Sequence, residues 1–370
     1  MKYVDEFRNP VEARRLGEHL ARRMALPELQ SRRPVRIMEV CGGHTHTIFR
    51  YGLEALLPEG IELIHGPGCP VCVLPPERID DCLTLAEQHD VILTTFGDAM
   101  RVPGSRGSLL QARARGADIR TVYSPLDALQ VARDNPDRKV VFFALGFETT
   151  MPGTAITLQQ AVEEGIANFY LFCHHVTIVP ILKALLDDPF MQVDAFIGPG
   201  HVSMVIGMTP YTFIADQYRK PVVVAGFEPL DILQSIVMVL EQLREGRTEV
   251  ENQYIRVVSR DGNRQALQAV ADVFALRARS SWRGLGEIER SGVGLKPAYA
   301  AFDAERLLVA PSVRRAEPVD CRCSEVLKGQ LHPRQCPLFG RACTPEHPRG
   351  ALMVSSEGAC AACHQYQGRG

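Results

Sequence analysis

The sequence predicts an α/β fold made of two related Rossmann-like α/β domains with mainly parallel sheets flanking a cleft, plus a third, loop-rich domain. Three observations carry this prediction. Short β-branched runs alternate with helical stretches from residue 36 to 245, the pattern of βαβ units. Glycine-rich turns recur where those runs end, and ligands collect at the carboxyl ends of parallel strands. Beyond Pro311 the chain becomes Cys-, Pro- and Gly-rich and loses its periodicity. Such a segment buries too little apolar surface to hold itself together, and a metal centre is the usual remedy.

Taken in order, residues 1–35 read as a charged helical segment with arginines from 13 to 23 and Pro27 as a stop, expected to pack on the C-terminal domain. The first α/β domain, 36–131, has strands at 36–40, 61–65, 91–95 and 119–123, with helices at 47–57, 76–88 and 109–115. The second, 132–245, has strands at 139–145, 169–173, 195–197 and 221–225 and helices at 154–165, 178–186, 201–206 and 230–243. The two blocks echo each other: His65-Gly-Pro-Gly-Cys69 answers Ile197-Gly-Pro-Gly-His201, and Gly146-Phe-Glu148 answers Gly226-Phe-Glu228. In the C-terminal domain, 246–370, an edge strand at 254–259, a helix at 264–274 and a turn at 282–287 precede the cysteine-rich tail.

Composition narrows the function. With 41 basic and 43 acidic residues in 370, no nucleic-acid or membrane partner is implied. The longest apolar runs, such as Ile232 to Leu240, are far too short to span a bilayer. The charged start, Met1-Lys-Tyr-Val-Asp-Glu-Phe-Arg8, lacks a secretory apolar core, so the expected location is the cytoplasm. Eleven cysteines in such a chain point to metal binding or redox work rather than structural disulfides. Of these, Cys82 and Cys173 stand apart and read as core residues.

The chemistry gathers in three places. Cys41-Gly-Gly-His-Thr-His46 follows a strand and opens a helix, where the helix dipole favours a thiolate; His44 and His46 add imidazoles. Gly66-Pro-Gly-Cys-Pro-Val-Cys72 carries a C-x-x-C unit that reads as a reversible dithiol at Cys69 and Cys72, with half of a zinc site as the other reading. The tail spacing is Cys321-x14-Cys336-x6-Cys343-x16-Cys360, with Cys323 and Cys363 as extras. Ligands so widely and unevenly spread suit a [4Fe-4S] cluster better than zinc, which would make the third domain an iron–sulfur domain. Spacing does not choose between Cys321 and Cys323 as first ligand. Further polar candidates at strand ends are Asp98, Glu148, His174, His175, His201 and Glu357. No Walker A or Rossmann fingerprint is present.

Together these motifs, with Gly146-Phe-Glu-Thr-Thr150 and Gly198-Pro-Gly-His-Val-Ser203, resemble the HypD family of [NiFe]-hydrogenase maturation factors, from about residue 36 to 366. The resemblance implies a redox-active scaffold rather than a turnover enzyme. With the small chaperone HypC it would hold one iron ion while cyanide, delivered by HypE, and carbon monoxide are attached. The resulting Fe(CN)2CO unit would then pass to the hydrogenase large subunit. Residue by residue, Cys41 would bind the iron with His44 beside it. Cys69 and Cys72 would exchange electrons with a cluster on Cys321, Cys336, Cys343 and Cys360, and Glu148, His201 and Glu357 would be proton or hydrogen-bond partners. The chain is expected to act as a monomer within a hetero-complex. A stand-alone iron–sulfur thiol–disulfide reductase and a zinc-stabilised binding module are the rival readings.

Overall fold

The computed structural model describes residues 5–308 and 320–367; the start of the charged N-terminus and the entry to the cysteine-rich tail at Pro311 lie outside them. Nine strands build two parallel sheets: β1 (Val35–Glu39), β2 (Ile61–His65), β3 (Val91–Thr95), β4 (Ile119–Thr121), β5 (Lys139–Gly146), β6 (Phe169–His175), β7 (Ala195–Pro199), β8 (Val222–Ala225) and β9 (Val250–Asn252). The first sheet has the order β2-β1-β7-β8-β9 and the second β4-β3-β5-β6. Every pairing within them is parallel. Strands β3, β7 and β8 are buried along their whole length, as expected where helices cover both faces.

The α/β class and two-sheet plan agree with the sequence, but the sheets do not follow the contiguous halves 36–131 and 132–245. The chain leaves the first sheet after β2, builds the entire second sheet, and returns to lay β7 beside β1, pairing Ile37 with Ala195 and Glu39 with Ile197. Parallel neighbours are joined by crossovers, so adjacency in a sheet need not follow adjacency in sequence.

The N-terminal helix, Pro10–Met24, does not pack on the C-terminal domain as expected. Its buried stripe of Leu20 and Met24 joins Ile236, Val239 and Leu240 of the helix Pro229–Glu245 in one apolar core. Arg23 reinforces the contact with Glu241 at 2.6 Å. The reason is the spacing Ala13, Gly17, Leu20, Met24, which makes one apolar face of this helix.

Past β9 the predicted edge strand at 254–259 is absent, and the edge is formed by Val250–Asn252 instead. The helix Arg264–Val273 forms as expected. The predicted turn at 282–287 lies at the tip of an antiparallel hairpin, where Trp282 pairs with Gly286. Cys82 and Cys173 are core residues, both fully buried. Among the described residues no helix is long and apolar enough to cross a membrane.

Candidate functional site

Parallel strands end on one edge, and the first sheet uses this to assemble the site. Along its order, β2 runs into Gly66-Pro-Gly-Cys69, β1 into Cys41-Gly-Gly-His44, β7 into Gly198-Pro-Gly-His201 and β8 into Gly226-Phe227. Four motifs far apart in sequence therefore meet because their strands are neighbours.

Cys41 is the N-cap of the helix Gly42–Arg50, with extended backbone (φ −147°, ψ 122°). It is 5% exposed. Burial, with the charges of Glu357 and Glu39, pushes its thiol well above the ordinary range. Backbone N–H groups of Gly43 and His201, at two helix starts, donate toward the sulfur and pull the other way. The expected helix-terminus effect is thus present in sign but smaller than desolvation beside two carboxylates.

Two glycines allow the close approaches here. A Cβ on Gly68 would lie 2.4 Å from the Cys41 Cα, and one on Gly42 would lie 2.6 Å from the Glu357 Cβ. The first contact seats the C-x-x-C loop against Cys41. The second brings in Glu357 from the tail, where burial and then Asp98 and Glu39 raise its carboxyl above the usual range. Asp98, at the end of β3, accepts from Ser355 Oγ at 2.7 Å and so ties the second sheet to the same tail loop.

His44 is fully buried and stacks on Phe227, whose other neighbour is His201, with ring centroids 4.9 and 3.7 Å away respectively. His44 Nε2 faces the Ala225 carbonyl at 3.2 Å, and its Nδ1 has no hydrogen-bond partner among the described residues. Burial, and then the charge of His44, lowers the His201 imidazole to about 4. His46, expected beside the sulfur, turns toward Ser356 O and Tyr366 instead.

Cys69 and Cys72 form a disulfide, at 3% and 2% exposure. Gly358 lies against Cys72 Sγ, two residues before Cys360. Cys321 and Cys323 sulfurs lie 3.2 Å apart, both against Gly350, and Cys343 Sγ accepts from Arg349 N at 3.3 Å. Cys360 acts on Cys323, while Cys343 responds to Cys321 and Cys336. The Cys321 thiol, hydrogen-bonded to Cys323 and buried, is raised strongly, and burial raises Cys343. Cys343 and Cys360 are buried and Cys321, Cys323 and Cys336 half-buried, and such a set of soft donors fits a thiolate-bound cluster, since a cationic iron centre would relieve the cost of burying thiolates. Among the described residues no three His, Cys, Asp or Glu side chains are placed to hold a single metal ion. Cys363 is not part of this set: fully buried with Phe49 and Ala362, it faces Gln367.

The second sheet contributes less. Glu148, after β5, accepts from Ile178 N at 3.0 Å through Oε1, and its buried Oε2 has no partner among the described residues. Burial pushes its carboxyl up to about 7. Tyr211 links it to the main site: its hydroxyl bonds Ser203 at 3.1 Å and feels both Glu148 and Cys41. His175 is held by Thr154 at 3.0 Å, and His174 lines a separate cavity of about 220 Å³ with Arg78 and Arg277. Neither histidine is at the Cys41 site.

Two residues absent from the sequence reading matter here. Glu39, fully buried, accepts from Cys41 N at 3.0 Å, from Thr45 Oγ1 and from His65 Nδ1 at 2.8 Å. Phe227 is the plate between the two imidazoles. The available signal for Glu39 was a carboxylate closing a strand, two residues before the candidate thiol.

Known proteins resemble the chain over nearly its whole length. The HypD profile, described as the hydrogenase formation hypA family, matches residues 15–367. The chain is similar to the hydrogenase maturation factor HypD of Escherichia coli (strain K12), 58% identical over 367 residues covering 99% of this chain and 98% of the relative. It is equally similar to that of Rhodobacter capsulatus, 58% identical over 372 residues covering 100% and 99%. HypD2 of Bradyrhizobium diazoefficiens is 52% identical over 373 residues covering 99% and 97%.

Proposed function

The chain belongs to the HypD family of hydrogenase maturation factors, and from that premise we propose that it is the scaffold on which the iron of a [NiFe]-hydrogenase receives its diatomic ligands. The iron is cargo. Cys41 binds it, a HypC-type chaperone completes the grip, and a HypE-type protein delivers cyanide. The finished Fe(CN)2CO unit leaves with the chaperone for the hydrogenase large subunit. The observation that carries this reading is the convergence of Cys41, His201 and Glu357 at the mouth of the first sheet, with the Cys69–Cys72 disulfide packed behind Cys41.

Each residue then has a task. A soft thiolate suits the low-spin iron(II) that cyanide and carbon monoxide demand. The thiol loses its proton on taking iron, and Glu357, coupled to it electrostatically, is an acceptor at hand. Glu148, with its carboxyl near 7, exchanges a proton at Oε2 within the neutral range. The disulfide opens to two thiols by taking up two electrons and two protons. Cys321, Cys336, Cys343 and Cys360 would hold a [4Fe-4S] cluster, with Cys323 beside Cys321, and such a cluster supplies electrons when bound. The burial of Cys69 and Cys72 disfavours a stand-alone reductase, since a partner's disulfide could not reach them.

The test is anaerobic co-purification with the chaperone, followed by infrared spectroscopy in the cyanide and carbonyl stretching region. Bands in the complex support the proposal, and a complex without them, containing iron, sinks it.

A further inference from the structure

We infer that Glu39 is a positioning residue that aims Cys41 into the cleft; this rests on the reading of Cys41 as the iron-binding thiol. Cys41 occupies an N-cap, where a side-chain oxygen would ordinarily accept from the first turn, and it makes no such side-chain cap bond. Its backbone is held instead from behind. Glu39 Oε2 accepts the Cys41 N–H at 3.0 Å, and Oε1 accepts the Thr45 hydroxyl from the following turn. The same Oε1 meets His65 Nδ1 at 2.8 Å, at the end of β2, directly opposite Glu39 in the sheet register. One carboxylate thus ties the end of β2, the N-cap and the first turn of the helix into a single unit, and fixes the backbone from which the Cys41 side chain departs.

Stability does not call for this arrangement. Glu39 is fully buried on a strand between two parallel neighbours, where an apolar side chain would serve the sheet as well or better than an ionic group needing three donors. What the carboxylate adds is orientation. An iron–sulfur bond is directional, and misplacing a reacting group by about 1 Å costs on the order of 100-fold. The C-x-x-C loop, through Gly68, also lies against the Cys41 N and Cα, so two separate elements hold this backbone.

The experiment uses the full chain with its HypC-type chaperone and compares E39Q, E39A and T45V with C41S. The readouts are hydrogenase maturation, the infrared bands of the complex, and the rate at which iodoacetamide alkylates Cys41 in the isolated chain. E39Q keeps size and shape and loses one acceptor; it is expected to fold, to lower maturation about 10-fold to 100-fold, and to broaden or shift the bands. Its alkylation rate is expected to change several-fold, while T45V moves all three readouts the same way by less. E39A should lose the bands altogether; if it fails to fold, E39Q and T45V still decide. Wild-type maturation, band positions and alkylation in both of those variants, with C41S inactive, overturns the inference alone. Normal maturation of C41S overturns the function proposal instead.

Discussion

The two sheets carry the same kind of motif at the same kind of place, yet among the described residues the first gathers its motifs into one cluster and the second does not. After β2, β1, β7 and β8 come Cys69, Cys41, His201 and Phe227, which touch one another or a shared neighbour. After β3 and β5 come Asp98 and Glu148, and β6 ends on His174-His175. Two of these are spent within their own sheet's surroundings, His175 on Thr154 and Glu148 Oε1 on a helix start, while Asp98 reaches across to Ser355 of the tail loop. A glycine-rich strand end is an opportunity, and the neighbouring strands decide whether it is used.

The sharpest way to break that contrast is to change one buried cysteine in each sheet. C41S is expected to abolish hydrogenase maturation in cells. C173A, in the core of the second sheet, should leave maturation near wild type at a cost of about 1 kcal/mol in stability. Equal loss in both would mean that burial, not chemistry, distinguishes Cys41.

Matched glycines probe the same difference at smaller scale. G68A places a methyl 2.4 Å from the Cys41 Cα, whereas at Gly97, after β3, nothing lies within 4 Å. Urea melts should show G68A destabilised by about 1–3 kcal/mol, with maturation impaired, and G97A within about 0.5 kcal/mol of the parent.

Two strand-end histidines give the smallest effect and opposite signs. Burial pulls His65 down, but Glu39 and Glu54 outweigh it and hold the imidazole up to about 9. Its folded pKa lies above the unfolded value, so its contribution is complete below about 6.5 and is lost as pH rises through about 9. Burial lowers His175 to about 4. Its contribution is present above about 6.5 and is lost as pH falls toward 4. Each should add a slope of up to about 1.4 kcal/mol per pH unit in its own window, removed by H65N on the alkaline side and by H175N on the acid side. A parent protein with flat stability from pH 6.5 to 9.5 would refute the Glu39–His65 pairing.

Much of this was legible in the chain. The strands were, because short β-branched runs bounded by Gly and Pro have few other fates: β1, β2, β3 and β5 lie within a residue or so of their expected bounds. Their partners were not. Nothing local in 195–199 says that it pairs with β1, across an intervening sheet, so the contiguous halves were misassigned. Cys41, Cys69, Cys72, His201 and Glu357 could be picked out by residue type near glycine turns. Glu39 and Phe227 could not, since a buried carboxylate or a ring between imidazoles takes its meaning from neighbours supplied by other strands and helices. The N-terminal helix was placed wrongly for a similar reason: its apolar stripe was readable, its partner was not.

The excursion of the chain between β2 and β7 has a consequence for biosynthesis. The ribosome delivers Cys41 and the Cys69–Cys72 pair early, but their wall, built from β7, β8 and the loops after them, emerges only once the second sheet has been made. Contacts of such long sequence separation form slowly. A nascent chain therefore presents isolated thiols and no finished pocket, and the surroundings of Cys41 are completed only near the end of translation.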